Sequence, residues 1–144
     1  MENVKEILAA SIFEVFERMF FIFLEPGGSP PIPDCEAAIR FDGPRRGTTR
    51  ILFTRPVARL MVRNMLGLDN GAVTEPHVAD CVKEAANMVC GNFLVHLDAS
   101  KKFTMSLPEF SARPGQPPAD PGDAVSFDFD CDAGKMRVEL TIQA

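Results

Sequence analysis

Asp80, Glu84 and Asn87 are the residues of this 144-residue chain whose types and spacing could do chemistry together. On an α-helix, at about 100° per residue, they and Gly91 fall within roughly 60° of one another. Two carboxylates, a carboxamide and a glycine would then share one narrow strip. Such a set makes a poor free-standing active site. The sequence offers no Ser-His-Asp set, no cysteine with a convincing base, no Gly-rich phosphate loop and no metal-ligand spacing. The strip suits insertion into a site that another protein supplies. An aspartyl-phosphate is already a labile bond, and its hydrolysis needs a water held in line with phosphorus more than a strong base. An asparagine carbonyl can accept a hydrogen bond from that water, while a glutamate can pair with a partner's lysine and fix the docking register. Gly91, one turn on, would let a partner's backbone come close. The plainer reading stays open beside this one, because polar residues at i, i+4 and i+7 form the solvated side of any amphipathic helix. His77, one turn before Asp80, adjoins the strip and is equally readable as a surface histidine in a helix's first turn.

The element that must position the strip is a helix from about Thr74 to about Asp98. Thr74 reads as its N-cap, with Glu75 and Pro76 in the first turn, and Val78, Val82, Ala85, Ala86, Val89 and Phe93 cluster on the face opposite the strip. An earlier helix, Val4 to about Leu24, is apolar around more than half its circumference and is expected to be buried on more than one side. Proline-rich loops at about 26–33 and 112–123 punctuate the chain. Between them, Cys35–Phe41 and Thr48–Thr54 read as strands joined by a hairpin loop. Thr54 reads as the cap of a helix with Val57, Leu60, Met61, Met65 and Leu66 at helical spacing and Gly67 as its stop. Lys102–Leu107 reads as a strand. The end of the chain alternates apolar and polar residues through Val125–Cys131 and Met136–Ile142, a hairpin with one wet face.

Helix-then-strands thus occurs twice, at an offset of about 67 residues, which places Glu17 on Glu84, Phe13 on Asp80 and Phe20 on Asn87. The first copy has the acid and lacks the amide. The fold class expected is α+β, with helices packed on a mainly antiparallel sheet built from two helix-strand-strand units. At this length the chain reads as a single domain.

A net charge of −5 argues against a nucleic-acid backbone as partner, and Arg45, Arg46 and Arg50 read as solvated charge in a turn region. No secretory signal and no apolar run near the roughly 20 residues of a membrane span is present, so a cytoplasmic protein without membrane insertion is expected. The four cysteines, Cys35, Cys81, Cys90 and Cys131, read as reduced and mostly buried thiols. Asp128, Asp130 and Asp132 with Glu139 imitate a calcium loop, yet Ala133 stands where the loop needs glycine and the flanks alternate with strand period. Those aspartates read as the wet face of the last hairpin.

Asp80-x3-Glu84-x2-Asn87 resembles the signature of the CheC/CheX/FliY family, which dephosphorylates the chemotaxis response regulator CheY. Phe16-Glu-Arg-Met-Phe20 and the segment from Thr49 to Gly67, with its Met-Leu-Gly stop, resemble CheX in particular. The resemblance implies that Glu84 is the docking acid, Asn87 the water-positioning amide and Asp80 a supporting residue, with Gly91 and His77 beside them. A single motif, with Phe20 where a second asparagine would stand, fits a CheX-like arrangement rather than CheC. It further implies a phosphorylated CheY-like receiver as partner, a homodimer, and no cofactor of its own, Mg²⁺ belonging to the regulator. A CheX-like module that docks on receivers without hydrolysis, or a dimeric scaffold, is the alternative.

Overall fold

The computed structural model describes residues 2–99, 102–115 and 123–143. Three helices, α1 (Glu2–Phe20), α2 (Arg55–Leu66) and α3 (Glu75–Leu97), accompany strands β1 (Glu25–Pro26), β2 (Cys35–Asp42), β3 (Arg46–Phe53), β4 (Thr104–Met105), β5 (Glu109–Ser111), β6 (Asp123–Cys131) and β7 (Gly134–Gln143). The strands form one antiparallel sheet in the order β1-β6-β7-β3-β2-β4, and β5 also pairs with β2. The two hairpins, β2–β3 and β6–β7, meet along β3 and β7 at the centre, so each helix-strand-strand half contributes one hairpin.

Registers explain the layers. Cys35, Ala37 and Ile39 of β2 stand opposite Phe53, Ile51 and Thr49 of β3, which in turn stand opposite Met136, Val138 and Leu140 of β7. Because side chains alternate with period two, this row lies on one face, and all nine residues are buried. The helices cover it. Phe16 packs on Phe53, Phe13 meets Phe129 edge to face, and Phe93 meets Phe41. Gly47 sits where β3 and β7 approach so closely that a Cβ would lie 2.1 Å from the Thr141 carbonyl oxygen.

The other face of the sheet is charged, and its central residues are matched to one another. Arg50 donates from Nε to Glu36 at 2.8 Å and from one terminal nitrogen to Glu139 at 2.6 Å. Arg137 pairs with Asp128 at 2.9 Å, and Lys135 with Asp130 at 2.7 Å. Arg50 is only 6% exposed, so it is not the solvated turn charge expected from the sequence. Burial disfavours its charge, but the Glu36 hydrogen bond outweighs this and raises its pKa. Asp128 and Asp130, two of the calcium-like aspartates, are neutralised by these cross-strand cations.

Several local expectations shift. α1 ends at Phe20, four residues before the expected stop, and Phe21 takes a left-handed φ of 54°. Phe23 therefore leaves the helix and is exposed. Thr54 stands at the N-cap of α2 without capping it, because its hydroxyl binds the Lys135 backbone instead. Gly67 ends α2 with φ 66°, as expected of a left-handed stop. Met65 and Leu66 lie at helical spacing but are 39% and 50% exposed rather than core. The expected strand Lys102–Leu107 is reduced to β4, and β5 follows it past Pro108. Most of the second proline-rich loop lies outside the described residues. Among the described residues, no helix is long and apolar enough to cross a membrane.

Candidate functional site

α3 places the strip where its periodicity predicts. Thr74 caps the helix through its hydroxyl, which accepts from the His77 backbone N–H, while His77 Nδ1 accepts from the Thr74 N–H at 3.1 Å. His77 is thereby tied into a reciprocal capping box, a structural duty that the sequence reading left unassigned. Val78, Val82, Ala85, Ala86, Val89 and Phe93 are all completely buried. The opposite face is therefore fixed outward: Asp80 is exposed, and Glu84, Asn87 and Gly91 are half-buried.

Neither Glu84 nor Asn87 makes a hydrogen bond or ion pair with its side chain among the described residues. Asp80 has one distant partner, Lys83 at 3.8 Å, and its side chain remains 81% exposed. The other asparagine late in α3 behaves differently. Asn92 Oδ1 accepts from Ser11 at 3.1 Å, and its Nδ2 donates toward Glu14 at 3.5 Å, binding α3 to α1. Phe20, the residue opposite Asn87 in the internal repeat, is completely buried, whereas Glu17 is exposed. In the first copy the position matching the amide is thus packed as core, while the acid stays in solvent.

Two clefts flank the strip. The larger, about 590 Å³, has Asp80, Glu84 and Asn87 on one wall and Met105, Ser106 and Leu107 on the other. The smaller, about 280 Å³, lies toward α2 and is lined by Met65, Leu66, His77 and Cys81 together with Asp80 and Glu84. Asp80 and Glu84 thus form a ridge between two openings. Gly91 lies beyond Met105 in an adjoining depression, and a Cβ there would meet only the Met105 methyl at 3.8 Å. The chain's own packing therefore does not require glycine at 91. The apolar walls escaped the sequence reading. Their signals were an apolar residue directly before Pro108 and a Met-Leu pair directly before the Gly67 stop.

Cys81 lies under the ridge, with Sγ 3.8 Å from Met65 Sδ. Burial pushes its thiol up to about 12, and the charges of Glu84 and Asp80 act in the same direction. It is a protonated packing group at neutral pH rather than a nucleophile. Cys35 and Cys90 are raised to about 11, chiefly by burial. The four cysteines are free. The chemistry available at the strip is accordingly that of a carboxylate and a carboxamide held outward, without a covalent nucleophile.

An α+β sandwich of this topology with an acid and amide strip on its long helix defines a class, and sequence comparison agrees. Residues 36–131 match the family described as chemotaxis phosphatase CheX. The chain belongs to the CheX family. Chemotaxis protein CheX from Vibrio vulnificus is similar in structure, with TM-score 0.83 and 25% identity over 97% of this chain and 96% of that one. A CheX from Desulfovibrio desulfuricans aligns at TM-score 0.81 and 20% identity, covering 98% and 99% of the two chains. The same fold occurs in the CheX-CheY-BeF3-Mg²⁺ complex from Borrelia burgdorferi, at TM-score 0.79 and 20% identity over 96% and 97%. No curated protein matches the chain by sequence.

Proposed function

We propose that the protein is a phosphatase for the aspartyl-phosphate of a CheY-like receiver domain, acting by insertion of Glu84 and Asn87 into the receiver's active site. The observation that carries this reading is that these two polar side chains, one turn apart on α3, make no hydrogen bond or ion pair among the described residues and border an open cleft. Membership of the CheX family supports the phosphatase reading. The Borrelia complex supports a phosphorylated CheY-like partner, because beryllium trifluoride stands in for a phosphoryl group there.

In this reading Asn87 Oδ1 accepts a hydrogen bond from a water and turns one lone pair of that water toward phosphorus. The water's oxygen forms the new P–O bond, the bond to the receiver's aspartate breaks, that carboxylate leaves with the electron pair, and the water's two protons depart with the released phosphate. Glu84 pairs with a cation beside the phosphoryl group and fixes the depth of insertion. Mg²⁺, held by the receiver, neutralises phosphoryl charge when bound. Asp80 supports the register from the exposed end of the ridge, and Gly91 leaves room for the receiver's backbone. Positioning of this kind shortens an already labile bond's lifetime without a strong base.

The test is the lifetime of a phosphorylated receiver, measured with and without the protein at substoichiometric amounts, using regulators from the same genome. Multiple turnovers and a shortened lifetime are expected. Binding with an unchanged lifetime would replace this function by that of a receiver-docking module.

A further inference from the structure

The wall facing Glu84 and Asn87 is built by an irregularity in the edge of the sheet. β4 and β5 both pair antiparallel with β2: Met105 stands opposite Phe41, and Glu109 opposite Ala38. Between these pairs, Ser106, Leu107 and Pro108 face only two residues of β2, Ile39 and Arg40. β4 and β5 are therefore one edge strand interrupted by a bulge carrying one extra residue. Pro108 fits this place because a bulge on an edge has no ladder bond for its missing N–H to make.

The bulge is held rather than loose. The Ser106 N–H donates to the Arg40 carbonyl at 2.8 Å, and Ser106 Oγ accepts from the Arg40 N–H at 2.9 Å. Leu107, the next residue, is expelled from the ladder and is 87% exposed. A clamped backbone thus presents a bare leucine across the cleft from the Glu84 carboxylate and the Asn87 carboxamide.

We propose that Leu107 is a docking residue for the phosphorylated receiver, entering an apolar depression beside the phosphorylated aspartate as α3 inserts. This rests on the receiver-phosphatase reading and adds to it a second element, from the sheet edge, that fixes the angle of approach. Continuity argues for the receiver as occupant: Leu107 lines the same opening as Glu84 and Asn87, so a receiver seated over the strip covers the bulge. Because a rigid leucine loses no backbone freedom on docking, its burial contributes to affinity with little ordering cost. A bulge also protects an edge strand from pairing with another sheet, and that duty alone needs no leucine at its tip.

The experiment measures binding of a receiver charged with beryllofluoride and Mg²⁺, and separately the rate of phosphate loss at saturating protein, for Leu107→Asp, Leu107→Ala and Ile32→Asp. Ile32 is as exposed, at 89%, in the proline-rich loop before β2. For Leu107→Asp, affinity about tenfold weaker or more is expected, with the saturated rate preserved. Leu107→Ala is expected to fall between it and the wild type, and Ile32→Asp to match the wild type. Affinity unchanged in Leu107→Asp would overturn the proposal while the phosphatase reading stands. A Leu107→Asp variant that binds normally but changes its own oligomeric mass would assign the bulge to a contact between copies and overturn it too. If the wild type itself neither binds the charged receiver nor shortens phosphoryl lifetime, both readings fall together.

Discussion

The outward face of the sheet and the outward strip of α3 read alike in sequence, as polar residues opposite an apolar row, yet their chemistry differs. On the sheet the charges of the central strands meet opposites: Glu36 and Glu139 hold Arg50, Asp128 holds Arg137, and Asp130 holds Lys135. Gly115 adds its carbonyl to Arg50 and its N–H to Glu36, tying the start of the second proline-rich loop to the same network. On α3, Glu84 and Asn87 have no side-chain partner among the described residues. A buried pair or network is committed to the fold, whereas a carboxylate and an amide kept at a half-buried surface remain available to another molecule. The same contrast recurs within α3. Asn92, about 140° around the helix from Asn87, is engaged by Ser11 and Glu14 and acts as a strut between helices.

Substitutions on the two faces should therefore fail in different measurements. The largest effect belongs to the sheet. Arg50→Ala leaves Glu36 buried without its cation and is expected to cost about 3–5 kcal/mol in denaturant unfolding. Such a loss with folded protein still present would leave the specific activity of the folded fraction unchanged. Glu84→Gln is the converse case. Stability should stay within about 0.5 kcal/mol, while the receiver concentration giving half-maximal rate rises roughly tenfold, because a charge-assisted hydrogen bond becomes a neutral one. Asn92→Ala removes the acceptor of the buried Ser11 hydroxyl and should lower stability by about 1–3 kcal/mol with the phosphatase rate intact. Loss of activity there, with stability kept, would erase the distinction between the two asparagines. Asp80→Ala should do least, changing affinity by less than about fivefold, since its pair with Lys83 is long and solvated.

Much of the site was legible because helical periodicity alone decides which side of α3 looks outward. Once six small and apolar residues from Val78 to Phe93 claim one face, Asp80, Glu84 and Asn87 have no other place to go. Strand alternation located the last hairpin in the same way, since Val125 to Ile142 carries an apolar residue at nearly every second position. The wall opposite the strip was not legible. A bulge at Ser106–Pro108 is defined by counting residues against β2, and that pairing spans more than sixty positions of sequence. Arg50 was misread for the same reason: its partners Glu36 and Glu139 are brought to it only by strand register. Met65 and Leu66 kept the helical spacing of core residues, but exposure depends on what covers the end of α2. The end of α1 meets α2 at Asn64, whose amide donates to the Phe20 carbonyl, and Met65 and Leu66 just beyond it stay exposed.

The most direct test of whether the unengaged amide is the working group is Asn87→Ala, assayed at receiver concentrations that saturate binding. Phosphate loss should fall by about a hundredfold or more toward the receiver's own rate, as expected when a group that orients a reacting water is removed. Unfolding free energy and affinity for the beryllofluoride-charged receiver should stay as in the wild type. A variant that still accelerates phosphate loss at the wild-type rate would contradict the account, and would place the water-positioning group elsewhere on the molecule.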